Sequence, residues 1–183
     1  MTVGFAMCGS YCTYSQVFPQ MEALAKEHTV LPIFAHLEDS RFGTAQAHLA
    51  RAQSICGRVP LRSIADVEPI GPGKTLDALI VAPCTGNTLA KLANGIADTS
   101  ITMAVKSQLR NGRPVLLAVS TNDGLSTAAR NIGALLCRRN IYFVPFGQDD
   151  PVRKPRSLVA HFSLIPQALE KALLGEQIQP ILR

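Results

Sequence analysis

Leu76-Asp77-Ala78-Leu79-Ile80-Val81-Ala82-Pro83-Cys84-Thr85-Gly86-Asn87-Thr88 is the stretch that decides the fold. Residues 76–82 form a strongly apolar run of strand length, suited to the centre of a sheet covered on both faces. A proline then ends the run, and hydroxyls and an amide crowd the turn into a helical pattern over residues 88–97. Strand, polar turn and helix in that order are most of a βα unit.

Working outward, the same alternation repeats. Residues 3–7 read as a first strand and 29–35 as a second, separated by a helix on which Val17, Met21, Leu24 and His28 share one face. Thr13-Tyr14-Ser15-Gln16 has capping-box spacing at that helix's start, and Pro19 either kinks it or falls in its first turns. Residues 45–56 form a helical pattern stopped by Gly57, and 59–63 a short third strand. Beyond the central strand and its helix come a helix over 102–110, a strand over 115–119, a helix over 126–139 and a strand over 141–145. The polar segment 147–156 is a loop or arm, and a last helix over 167–174 stops at Gly175. This alternation predicts a doubly wound, Rossmann-like (flavodoxin-like) α/β fold, a three-layer sandwich around a mainly parallel six-stranded sheet.

The 183 residues suit a single domain, with the arm and helix of 147–183 packed on it. No apolar run is long enough to cross a bilayer, and the opening Met1-Thr2-Val3-Gly4-Phe5-Ala6-Met7 lacks the basic start of a signal peptide. Five cysteines, an odd number, in a domain that needs no disulfides point to a reducing, cytoplasmic compartment. The formal charge of +5 raises the question of nucleic acid. Basic residues cluster only at Arg138-Arg139 and Arg153-Lys154-Pro155-Arg156, Trp is absent and aromatics are few, so no stacking platform is evident. A solvated surface with a bias toward small anions is the simpler reading.

Ligands of such sheets bind beyond the carboxyl ends of the strands. The loops to inspect are 8–13, 35–43, 83–88, 120–124 and 146–150, all rich in Gly, Ser, Thr, Asn or Asp. Gly9-Ser10, between the first strand and first helix, can hold a phosphate through backbone amides and the Ser10 hydroxyl; an ordinary polar turn is the alternative. The glycines of a dinucleotide fingerprint are missing there, which argues against a nicotinamide site on this chain. The turn 83–88 offers uncharged donors for carboxylate or phosphate oxygens, and Ser120-Thr121-Asn122-Asp123 repeats that chemistry. Helix capping explains one such loop; two at neighbouring strand ends are better explained by a ligand.

Other motifs carry less. Gly71-Pro72-Gly73-Lys74-Thr75 fails as a triphosphate loop because Glu68 stands at the first glycine and a strand, not a helix, follows. Cys8, Cys12 and Cys84 lack the spacing of a metal site or redox pair. His28 and His48 read as helix-surface residues and His161 as part of a late helix, leaving His36 as the one histidine on the expected rim. Spacing assembles no Ser/His/Asp set.

Residues 82–98, Ala-Pro-Cys-Thr-Gly-Asn-Thr-Leu-Ala-Lys-Leu-Ala-Asn-Gly-Ile-Ala-Asp, resemble the Pro-Ala-Ser-Ala-Asn-Thr turn and following helix of the homo-oligomeric flavin-containing cysteine decarboxylase superfamily. The Gly9-Ser10 turn matches as well. Within that superfamily the chain is most similar to the B-subunit family of dipicolinate synthases, along nearly its whole length. Gly9-Ser10-Tyr11-Cys12-Thr13-Tyr14, Arg41-Phe42-Gly43, Ala118-Val119-Ser120-Thr121-Asn122-Asp123 and residues 140–151 carry that likeness, followed by Lys154-Pro155 and Ser157-Leu158-Val159-Ala160. Two departures separate it from the decarboxylases. Pro69, in Glu68-Pro69-Ile70, stands where they use a histidine, and Val119-Ser120-Thr121-Asn122 replaces their Pro-x-Met-Asn turn while keeping Asn122.

The resemblance implies an FMN-binding chain that works with the A-subunit of dipicolinate synthase, which carries a nicotinamide cofactor (NADP or NAD). Together they would form dipicolinate from a dihydropyridine-type dicarboxylate in the mother cell of a spore-forming bacterium, a two-electron oxidation. It implies a homo-oligomer. It also implies cofactor contacts from Gly9, Ser10, His36, Pro83, Thr85, Gly86, Asn87, Thr88, Ser120 and Thr121, with Asn122 in a catalytic role and no metal. On charge alone, Arg41 or Lys106 are cations to attract the dicarboxylate. The competing expectations are an independent FMN-dependent decarboxylase or prenyltransferase, and a non-catalytic assembly protein with a flavin-like fold.

Overall fold

A computed structural model describes residues 1–35 and 37–183. Five parallel strands stand in the order β2 (Thr29–Phe34), β1 (Thr2–Met7), β3 (Ala78–Cys84), β4 (Val115–Thr121) and β5 (Ile141–Phe143). This is the flavodoxin-like order, whose reversal at β1 and β3 opens a crevice at the carboxyl ends of those two strands. The apolar run at 76–82 accounts for the centre: every residue of β3 is buried. Its pairing with β4 shifts register between Val81 and Cys84, where Pro83 supplies no N–H.

Helices cover both faces. On one, α1 (Tyr14–Glu27) packs against α8 (Ile165–Leu173), with α2 (Ala45–Cys56) beside α1 and β2. On the other lie α5 (Gly86–Ala93), α6 (Ser100–Arg110) and α7 (Ala129–Leu136), with the short α3 (Ile64–Val67) and α4 (Ile70–Gly73) against α6. The helical spacing explains the docking of α8, whose buried residues Ile165, Ala168, Leu169 and Ala172 fall on one stripe. No helix among the described residues is long and apolar enough to cross a membrane.

Several expectations change. Among the described residues the sheet has seven strands, because β6 (Phe146–Gly147) and β7 (Leu158–Ala160) pair antiparallel, and β7 pairs antiparallel with Ser120 and Thr121 of β4. Strands of two or three residues carry too little periodicity to read from sequence. The expected strand at 59–63 reduces to a single bridge between Leu61 and Ile33, since Pro60 cannot donate and Val59 is turned to solvent. Thr13 forms no capping box. It lies in a 3-10 turn (Tyr11–Thr13) with helical backbone angles, and its hydroxyl donates to the Ser10 carbonyl at 2.9 Å. Pro19 sits inside α1. The helix expected from residue 88 begins at Gly86, because Thr85 caps it, and ends before Gly95, whose φ of 72° stops it. The helix expected over 126–139 spans only Ala129–Leu136, the Asp123 carbonyl having taken the Ser126 and Ala128 amides into a turn.

Candidate functional site

The carboxyl ends of β1, β3 and β4 meet at one edge, and short hydrogen bonds tie them. Ser10, held in the left-handed region at φ 61°, donates its hydroxyl to the Ser120 carbonyl at 3.0 Å, across the end of β3. Gly9 lies beside Thr85, where a Cβ would meet the Thr85 methyl at 3.4 Å, an ordinary van der Waals contact. At the start of α5 the Thr85 side chain accepts from the Thr88 amide at 3.4 Å. The amides of Gly86 and Asn87, in the first turn of that helix, have no intrahelical acceptor and point out from its positive end. Gly86 lies so near the β4 turn that a Cβ would stand 2.7 Å from Thr121 Oγ1 and 2.9 Å from Asp123 Oδ1. Thr121 in turn donates its hydroxyl to that Asp123 carboxylate. Asn87 and Asn122 are exposed at the mouth.

Gly9, Ser10, Thr85, Gly86, Asn87, Ser120, Thr121 and Asn122 therefore share one edge. Pro83 and Thr88 lie beneath it, buried, with their polar atoms turned inward. His36 lies outside the described residues. Lys106 is far from this edge. Helix α6 starts at it, where Ser100 Oγ donates to the Phe34 carbonyl at 2.6 Å. It ends at the opposite edge, where Asn111 donates to the Gly71 carbonyl at 2.9 Å. Lys106 lines a hollow on the flank, so charge alone misplaced it.

Two features of the site went unread in the sequence. The first is Cys8, whose thiol donates to the Pro83 carbonyl at 3.1 Å and accepts from Thr88 Oγ1 at 3.3 Å, knotting the end of β1 to the 83–88 turn. Burial, reinforced by Cys8, pushes the neighbouring Cys84 thiol well up, so it stays protonated and inert at neutral pH. The other is the part played by Asp123, read from sequence only as a member of the 120–123 loop: it accepts from Thr121 beside Gly86. All five cysteines are free, and among the described residues no three His, Cys, Asp or Glu side chains group as a metal site.

His48 is not on the helix surface as expected. It is 7% exposed, stacked near parallel to Tyr11 and Phe18, and met edge-on by Tyr14 at 4.8 Å, with its Nε2 unpartnered. Burial, with Arg51 adding, holds its pKa below the ordinary histidine value. The unfolded chain therefore takes up a proton near pH 6.5 while the folded chain does not. Stability is full above that pH and falls as pH drops from it toward the depressed folded value. Thermal melting from pH 8 to 5 should show this loss, and His48→Phe should flatten that limb.

A family profile described as Flavoprotein matches residues 2–145. The chain belongs to the Flavoprotein family. This flavoprotein-family chain is 44% identical over 184 residues to the B-subunit of dipicolinate synthase from Bacillus subtilis (strain 168), an alignment spanning 98% of this chain and 92% of that protein. Among solved structures, the dipicolinate synthase B-subunit from Bacillus halodurans C superimposes with a TM-score of 0.92 at 42% identity, over 100% of this chain and 95% of that one. The FMN-dependent cysteine decarboxylase SpaF shares the fold, with a TM-score of 0.67 at 21% identity over 94% and 97% of the two chains. The chain is thus a close homologue of the dipicolinate synthase B-subunit, and the B-subunit likeness carried by residues 9–14, 118–123 and 140–151 holds.

The Thr85 cap also contributes to stability. Thr85→Ala removes the acceptor for the Thr88 amide and should cost about 1 kcal/mol in denaturant unfolding.

Proposed function

We propose that this chain is the flavin-binding half of a two-component dipicolinate synthase. Its companion, the A-subunit, would carry the nicotinamide cofactor, NADP or NAD. The observation that carries this reading is the 44% identity to a dipicolinate synthase B-subunit along 98% of the chain. The site's donor set fits FMN. Gly9 and Ser10 and, from the sequence resemblance alone, His36 are assigned to the phosphate, and the first-turn amides of Gly86 and Asn87 with Thr85, Ser120 and Thr121 to ribityl and ring oxygens. Pro83 and Thr88 hold that wall from below. FMN, when bound, supplies a two-electron acceptor or donor.

The chain's own part is binding and orientation. Dipicolinate is a pyridine dicarboxylate, and its formation from a dihydropyridine precursor removes two electrons and two protons. Asn122, exposed at the mouth, donates its side-chain amide to a substrate carboxylate and so turns the ring toward the Gly86–Thr121 wall. Pro69, a residue without a proton to give, argues against an independent cysteine decarboxylase. The protein works in the cytoplasm, as a homo-oligomer, on a small dicarboxylate.

The purified chain should bind FMN with a shifted visible spectrum, and turnover of the dihydro precursor should need this chain together with its companion. Asn122→Ala should lower kcat/KM by about 100-fold while FMN titration is unchanged. A chain that takes up no FMN loses the cofactor assignment; a companion that makes dipicolinate unaided removes the synthase role.

A further inference from the structure

On the flank formed by α5, α6 and the end of α7 lies a hollow of about 270 Å³, away from the flavin edge. Its floor is apolar, from Leu92, Ile96, Val105 and Leu109, and its charged residues are Lys106, Arg110 and Arg138. Among the described residues, no carboxylate lines it. Two of the cations are held in place by the fold. Arg138 Nη1 donates to the Leu92 carbonyl at 3.0 Å, and the Arg110 guanidinium rests on Gly71, where a Cβ would stand 2.7 Å from Nη2. The apolar surface continues outside the hollow: Ile96 is 47% exposed, and Leu136, on the turn of α7 leading to Arg138, is 44% exposed. A second hollow of about 320 Å³ shares Lys106 and Arg110 as a common ridge and adds Met103, Pro72 and Glu68.

Lys106, Arg110 and Arg138 surround the apolar floor, and Glu68 in the adjoining hollow is one carboxylate against three cations, so the flank keeps an excess of positive charge that suits an anionic partner. A second copy of this chain is a poor source of that anion, because most of its carboxylates are already engaged. Asp77, Asp98, Asp149, Asp150 and Glu176 are in ion pairs, Asp39 and Asp66 accept from backbone amides, and Asp123 accepts from Thr121. The apolar surface extends past the hollow onto Ile96 and Leu136, which is wider than a small anion covers and suits a protein segment.

We infer that the α5–α6–α7 flank is the docking surface for an acidic segment of the nicotinamide-carrying companion, one apolar side chain entering the hollow and flanking carboxylates meeting Lys106, Arg110 and Arg138. The inference rests on the two-component reading proposed above. None of the residues lining the hollow belongs to the flavin edge, so docking there leaves that edge open to substrate.

The experiment is a binding titration of the full-length chain against the purified companion over a range of salt, with Lys106→Glu/Arg110→Glu beside wild type. Wild type should bind more weakly as salt rises. The double variant should bind at least about tenfold more weakly and lose most of that salt dependence, while its melting temperature and FMN titration match wild type. Ile96→Ala, which keeps every charge, should also weaken binding. If the companion binds wild type and the double variant alike, the docking surface is elsewhere and the two-component reading stands. If it does not bind wild type at any salt, both fall. Self-association that the double variant abolishes while leaving companion binding intact would assign the flank to a second copy and overturn the inference. So would stabilisation of wild type alone by a small carboxylate such as dipicolinate, with companion binding unaffected.

Discussion

Phe5→Ala is expected to lower the unfolding free energy by about 3–5 kcal/mol, a large part of a small domain's stability. Phe5 is fully buried at the middle of β1, opposite Pro32 of β2 and Ile80 of β3. Both neighbouring strands lean on it, so truncation leaves a void that the paired backbones cannot close. The same strand carries Gly9 and Ser10 at its carboxyl end, which makes the loss readable through the proposed ligand. FMN binds only the folded chain, so at about 100 times its dissociation constant it should return roughly 2.7 kcal/mol to the variant and to wild type alike. Urea unfolding with and without FMN checks both halves. A variant whose midpoint does not move with FMN would mean that β1 fails to present its turn even when folded.

That coupling of core to edge is what was legible from residues alone. The apolar run before Pro83 announced a central strand, and the structure buries every residue of β3. The polar turns after β1, β3 and β4 announced one edge, because parallel strands bring their carboxyl ends together whatever the helices between them do. Residues 45–56 were bounded correctly, with Gly57 as the stop, and the structure adds Thr44 as the cap; both are local signals.

What stayed hidden depended on distant partners. Nothing near Leu158 says that it will pair with Thr121, since the decision is made 37 residues away by the β4 edge left open beyond β5. His48 has a helix-surface neighbourhood in sequence, and only the docking of α1 against α2 closes Tyr11, Tyr14 and Phe18 over it. Lys106 follows the same rule. Its charge was visible, but its distance from the site depended on where α6 begins and ends.

Gly86→Ala should cut FMN affinity by at least about tenfold, with an overpacking cost of about 1–3 kcal/mol. The glycine is not needed for an unusual backbone angle; it is needed because two turns touch. An added methyl would lie 2.7 Å from Thr121 Oγ1 and 2.9 Å from Asp123 Oδ1, and the second of these belongs to a carboxylate already engaged by Thr121. Neither atom is the loose end of a long side chain, so relief must come from moving the β4 turn away from α5. That motion separates the amides of Gly86 and Asn87 from Ser120 and Thr121, the two walls assigned to the cofactor. Gly133→Ala is the control: the residue lies in α7, where an added Cβ meets nothing within 4 Å. Helix propensity there should raise stability by about 0.8–1 kcal/mol and leave the FMN titration unmoved. Equal FMN affinities for the Gly86 variant and wild type, with melting lowered as expected, would place the flavin away from the edge where α5 meets the β4 turn.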